Sequence, residues 1–254
     1  MNNDIINIYL LSSEWEMSHR KLFVKTLSRR IGKTVAVQYP VSLTLNLFYK
    51  FRERLLGLIL GKYKAKNADD YITLFTPFML FHKILWQKLK FFATIDSMLI
   101  GLQVNRFIKK HYSGKKINLW LYTPSDYYLI KKIKYSYLFY DYYDDSEYDY
   151  NGNIIQGNVE LNKLLVPRCN LIVCVSKFTT DKMLLLNKNS IRTVNGFDPE
   201  IFSANKNRYK TEIDNLDKPI IGYTGVLRNW LDFDILKDIL EKLDVYLVCV
   251  GFVN

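Results

Sequence analysis

Residues 5–40 read IINIYLLSSEWEMSHRKLFVKTLSRRIGKTVAVQYP and pass through three patterns in succession. Ile5 to Leu11 is a short apolar run of the kind that forms a buried strand. Ser12, Ser13 and Glu14 then make a polar turn, and a helical pattern runs from Ser18 to Ile31 and closes at Gly32. Thr34 to Gln38 returns to a strand pattern. Strand, helix, strand is the repeating unit of a parallel sheet, because parallel neighbours need a crossover long enough to hold a helix. The same rhythm resumes at Ile117 to Tyr122, Tyr137 to Tyr140, Leu171 to Val175 and Ile191 to Val194. The expected fold class is α/β, an open and doubly wound Rossmann-like parallel sheet.

The 254 residues are 49% hydrophobic, which suits a packed core rather than a disordered chain. Net charge is +11 at neutral pH. Its distribution is uneven, with residues 1–136 carrying +15 and residues 137–254 carrying −4. Such a basic half suits polyanionic partners, among them lipid headgroups, nucleotide phosphates and nucleic acid. No nucleic-acid recognition motif accompanies it, so nucleic acid is not the expected partner. Cys169, Cys174 and Cys249 each fall in or beside an apolar run expected to be a buried strand, which is cytosolic usage rather than a disulfide framework. Their spacing, with His19, His82 and His111 scattered, matches no metal site.

The amino terminus lacks the basic flank and cleavage site of a secretory signal, so a cytoplasmic location is expected. The longest candidate membrane span, Phe91 to Val104, is too short and contains Asp96. Between Ser42 and Tyr112 long helical stretches replace the alternation, interrupted by a strand-like Tyr71 to Phe75. Residues 43–66 mix Leu45, Phe48, Leu55, Leu56, Ile59 and Leu60 with Lys50, Arg52, Arg54, Lys62 and Lys64. That mixture fits a helix lying on an anionic membrane, at the inner face, and equally a core-packed helix with a solvated basic side.

A polar stretch at 203–217 reads as a linker. Residues 1–202 then form a first, Rossmann-like lobe, and residues 218–254 open a second with strand Pro219 to Tyr223, helix Leu231 to Leu243 and strand Val245 to Val250, which stops at Gly251. One βαβ unit leaves both faces of its strands uncovered, so a chain of this length is expected to be truncated within its second lobe.

Several segments in order resemble one family. VSKFTTDKM (Val175 to Met183), TVNGFDPEIF (Thr193 to Phe202) and IGYTGVLRNWLDFDILKDIL (Ile221 to Leu240) are similar to glycosyltransferase family 4, of the two-lobed GT-B architecture. The stretches Glu14 to Pro40 and Phe139 to Asp149 (FYDYYDDSEYD) look like its bacterial cell-surface polysaccharide branch, which includes teichuronic acid transferases. The resemblance implies a nucleoside diphosphate sugar as co-substrate with no resident cofactor, a glycan or lipid-linked acceptor, and retention of anomeric configuration. The acceptor would lie on the first lobe and the donor on the second, with the site outside the carboxyl ends of the strands.

Candidate residues follow from those ends. His19, at the start of the first helix, and Asp144 with Asp145, after the strand Tyr137 to Tyr140, are catalytic or acceptor-binding candidates. Their plain alternatives are a packed structural histidine and an acidic loop capping the next helix. Asn195 and Gly196 form an interlobe turn, where glycine would permit a positive φ. Gly222, Thr224 and Gly225 are donor-binding candidates, because absent side chains let a diphosphate approach backbone N–H groups. Arg228 is a candidate for neutralising leaving phosphate charge, although the family has Gly-Arg-Leu where this chain has Gly225, Val226, Leu227 and Arg228. Asp232, Phe233 and Asp234 spell a metal-binding pattern of another glycosyltransferase architecture, but they open a helix, where Asp232 reads as an N-cap. The alternative to an active transferase is a truncated, catalytically silent lobe serving as a binding or complementation module.

Overall fold

The computed structural model describes residues 4–42, 65–197, 199, 211–228 and 231–252. Most of the basic segment 43–66, and residues 203–210 of the expected linker, lie outside them. The chain divides into two compact units, one of residues 1–147 with 155–197, the other of residues 148–154 with 198–254.

The first unit is an α/β sandwich of Rossmann-like topology. Its strands are β1 (Ile5–Leu10), β2 (Thr34–Val37), β4 (Lys66–Asn67), β5 (Ile72–Phe75), β7 (Lys116–Leu121), β8 (Tyr137–Tyr142), β9 (Leu171–Cys174) and β10 (Ser190–Arg192). They form one sheet in the order β10-β9-β8-β7-β1-β2-β5-β4, parallel throughout except for the short edge strand β4, which pairs antiparallel to β5. Two further two-residue strands, β3 (Val41–Ser42) and β6 (Phe78–Met79), pair with each other. The helices are α1 (Lys21–Arg30), α2 (Lys83–Lys88), α3 (Lys90–His111), α4 (Gln156–Leu165) and α5 (Lys177–Leu184). Strand order reverses at β1, which sits between β2 and β7.

Alternation along β1 shows why the sheet is covered on both faces. Ile6, Ile8 and Leu10 join one apolar cluster with Ile100 and Val104 of α3 and Leu165 of α4, while Tyr9 and Leu11 join another with Val24 and Leu27 of α1. A parallel sheet flanked by helices therefore reads as nearly continuous apolar runs. One polar residue interrupts β1. Asn7 is fully buried, donates to the Gly32 carbonyl at 2.8 Å and accepts from Asn118 and Trp120, both at 3.2 Å, which pins β1 to β7 and to the end of the α1 crossover.

The helix expected from Ser18 begins instead at Lys21. Trp15–Met17 forms a tight 3₁₀ turn, with Trp15 buried and its N–H donating to Gln38 Oε1 at 2.7 Å, and this uses the residues before the helix as an anchored loop. Gly196 departs from expectation as well. Positive φ is confined to Gly114, Gly152, Gly225 and Gly251 among the described glycines, so Gly196 turns without it, and an added Cβ would meet only Leu22 at 3.8 Å. Gly101 is the glycine on which packing depends. It lies buried in α3, where a Cβ would stand 2.6 Å from the Lys132 Cβ and 2.7 Å from the Lys132 carbonyl oxygen. Gly101→Ala is expected to lower unfolding free energy by about 1–3 kcal/mol through overpacking, measured as a shift of the denaturant midpoint.

The second unit contains β11 (Ile220–Thr224), α6 (Phe233–Lys242) and β12 (Tyr246–Val250), a βαβ unit with its two strands parallel. None of its described residues is buried. Cys249, expected to be buried like Cys169 and Cys174, is instead exposed near the end of β12. Among the described residues of the chain no helix is long and apolar enough to cross a membrane.

Candidate functional site

In parallel strands all carboxyl ends share one edge, and ligands of doubly wound sheets bind outside that edge where strand order reverses. Here the reversal lies between β1 and β7. The loop after β1 delivers His19 and Arg20, Tyr122 follows β7, Tyr143 follows β8 and Asn195 follows β10.

These residues converge. The Arg20 guanidinium donates from Nε to Asp141 Oδ2 and from a terminal nitrogen to Asp141 Oδ1, both at 2.8 Å, so the pair is bidentate. It is nearly sealed, the two side chains being 7% and 0% exposed. The Tyr9 hydroxyl donates to the same carboxylate. The other terminal nitrogen of Arg20 donates to Asn195 Oδ1 at 3.1 Å. Rings cover the guanidinium, with Phe23 at 4.5 Å and Tyr143 at 4.9 Å from its carbon. Helix α1, strand β8 and the chain leaving β10 are thus tied at one cation.

His19 stands beside this pair at the surface. Its Nε2 lies 2.7 Å from the Tyr122 hydroxyl, and its ring centre 4.7 Å from that of Tyr143. Partial burial and the Arg20 charge lower its pKa from 6.5, against the opposing pull of Asp141 and Asp144. The shift favours the neutral ring near pH 7, the protonation state a general base requires. Burial pushes the Tyr122 hydroxyl well above its ordinary value, so it stays protonated.

The two adjacent aspartates part company. Asp145 accepts from the Tyr142 hydroxyl at 2.6 Å and binds Lys182 through both oxygens at 2.9 Å, and Lys182 also pairs with Glu147 at 2.7 Å. Its carboxylate is held in a bracket between β8 and α5. Asp144 is exposed, accepts the Asp145 N–H at 2.8 Å and contributes to the field at His19. The structure brings together His19, Asp144 and Asn195 from the sequence candidates. Arg20, Asp141, Tyr122, Tyr143 and Tyr9 had not been singled out, although a charged residue within the apolar strand YLFYDY was a visible signal. Burial of Asp141 demands a partner, and the strand reaches Tyr142 rather than ending at Tyr140.

In the second unit Gly222 lies within β11, opposite Val248, and Thr224 is that strand's last residue. Gly225 follows at φ 155°, its N–H donating to the Val250 carbonyl at 3.0 Å. A Cβ on Gly251 would fall 1.7 Å from the Gly225 oxygen, so the turns after β11 and β12 meet backbone to backbone and only glycine fits. Arg228 lies four residues beyond Thr224, in the turn that leads to α6. Asp232 is the N-cap of α6, accepting the N–H groups of Asp234 and Ile235 at 3.0 and 3.1 Å. That confirms the capping role read from the sequence. Among the described residues no three His, Cys, Asp or Glu side chains converge as metal ligands.

Fold and edge together define a Rossmann-like α/β protein with a charged, aromatic-walled cluster at its topological switch point. No protein-family model matches the chain, and no curated protein matches it at a significant level.

Proposed function

We propose that this chain is a glycosyltransferase that moves a sugar from a nucleoside diphosphate sugar to a surface-glycan or lipid-linked acceptor. The observation that carries this reading is the neutral His19, held against Tyr122 and Tyr143 at the switch-point edge. In this reading His19 takes the proton from the acceptor hydroxyl as its oxygen bonds to the anomeric carbon and the nucleoside diphosphate leaves from the same face, which keeps the configuration, and Asp144 binds a neighbouring hydroxyl. The aromatic rings offer apolar faces to a sugar, and Arg20 with Asp141 and Asn195 holds the wall rigid. Thr224, Gly225 and Arg228 of the second unit, at and beyond the carboxyl end of β11, are the groups proposed to bind the donor diphosphate, with Gly222 inside that strand. The order of segments resembling glycosyltransferase family 4 supports the same assignment.

A panel of uridine, guanosine and thymidine diphosphate sugars tests it by thermal shift and by release of the nucleoside diphosphate. One donor is expected to raise the melting temperature, since a ligand at 100 times its Kd adds about 2.7 kcal/mol to the native state, and to be hydrolysed or transferred. If no donor changes either readout, the transferase reading fails and a silent binding lobe takes its place.

A further inference from the structure

We propose that the outer face of α3 is a docking surface for an anionic lipid bilayer. The inner side of this helix buries Ala93, Ile100, Val104 and Ile108 in the apolar cluster it shares with the sheet, and buries Asp96 and Gly101 beside them. Its opposite side carries Phe91, Met98 and Leu102, exposed by 69%, 55% and 66%, at spacings of seven and four that align them in one stripe. Leu89, just before the helix, is exposed as well. The stripe continues into Lys109, flanked by exposed Arg106 and Lys110, and Lys90 is exposed at the other end. Asp96 is the only acidic residue of α3 and is buried, accepting from the Leu80 and Phe81 N–H groups and from the Trp86 indole. The outward face is thus apolar and cationic with no anion.

That combination selects among partners. Lysine is depleted in protein–protein interfaces, where its charge would be stripped of water. At a bilayer the same residues reach the phosphates while their stems and the apolar stripe enter the headgroup boundary. The charge of +15 over residues 1–136 adds long-range attraction to an anionic leaflet. The helix lies on the membrane rather than through it, because its other face is committed to the sheet. Ile100 lines a small cavity together with Leu10 and Leu11, which places the first half of α3 at the carboxyl edge of the sheet. If the transferase reading holds, the docked membrane would present a lipid-linked acceptor on the side of His19.

The test is co-sedimentation of the whole chain with vesicles of phosphatidylcholine alone or mixed with phosphatidylglycerol, without any sugar nucleotide, so that its outcome is separate from that of the transferase reading. Wild type is expected to bind the mixed vesicles at least about tenfold more tightly, and to release at about 0.5 M salt, where screening shortens to a few ångströms. M98E/L102E and R106E/K109E, with melting temperature and circular dichroism as checks of folding, are each expected to lose about tenfold or more, whereas L185E, at an exposed leucine just after α5, retains binding. Equal binding to both vesicle types, or unchanged binding in both double variants, would overturn the proposal. So would a wild-type dimer in sedimentation velocity that both double variants dissociate, because the face would then be a protein interface.

Discussion

Asp141→Asn is expected to destabilise the first unit by about 3–5 kcal/mol, the range for breaking a buried ion pair by removing one partner. Arg20 cannot escape by losing its proton, since guanidinium stays charged at any accessible pH. The amide would keep one acceptor oxygen and turn an N–H₂ group toward a cation. It would also disturb the Tyr9 hydroxyl, which donates to the same carboxylate. At roughly 2–4 °C per kcal/mol for a chain of this size, the melting temperature should fall by about 6 °C or more. The informative companion is Y9F/R20M/D141L, which removes both charges and the buried hydroxyl that donates to Asp141, and leaves an apolar group under Phe23 and Tyr143. Its stability should recover most of the loss, because well-packed apolar replacements of buried pairs are often neutral. A D141N variant that melts with wild type would mean that the pair is hydrated in solution.

If the chain is the transferase proposed above, His19→Ala is expected to lower its turnover number by about 10²–10⁴, the usual contribution of a positioned general base. The pH dependence gives the sharper check. Burial and Arg20 depress the His19 pKa below 6.5, so the neutral base persists below that pH and the acid limb of kcat should lie beneath 6.5. Asp144 pulls that pKa upward, so Asp144→Asn should move the limb further down. A rise in KM without a shift of the limb would instead place Asp144 on the acceptor. The linkage to stability runs in one direction. A histidine with a depressed folded-state pKa contributes stability that is present above its unfolded value and is lost as pH falls below it. If H19A retains wild-type turnover with an unchanged acid limb, His19 is a structural side chain and another base must be sought.

Much of the fold was legible in the residues. β1, β2, β7 and β9 appear within a residue or two of the apolar runs that announced them, because a strand buried on both faces is apolar along most of its length. The βαβ unit of the second part matches its apolar runs as closely, although its described residues are not buried. The short strands β3, β4 and β6 were not legible. Two residues carry no periodicity, and their pairing depends on which chain happens to lie beside them.

The candidate site was legible only in part. His19 and Asp144 could be placed because they follow strands at their carboxyl ends, and that edge is fixed by topology alone. Arg20 and Asp141 lie 121 positions apart, and nothing local to either residue records the other. Likewise, Asp144 and Asp145 are neighbours of identical chemistry, yet Asp145 is half-buried against Lys182 from α5 while Asp144 is exposed.

What the sequence by itself determined, then, is the sheet, its crossovers and the edge where chemistry belongs, since these follow from the local alternation of apolar and polar residues. Tertiary structure alone decided which charges are sealed, which stay exposed and which face of α3 is left to solvent. Burial and pairing are set by contacts between distant segments, and a linear pattern does not contain those distances.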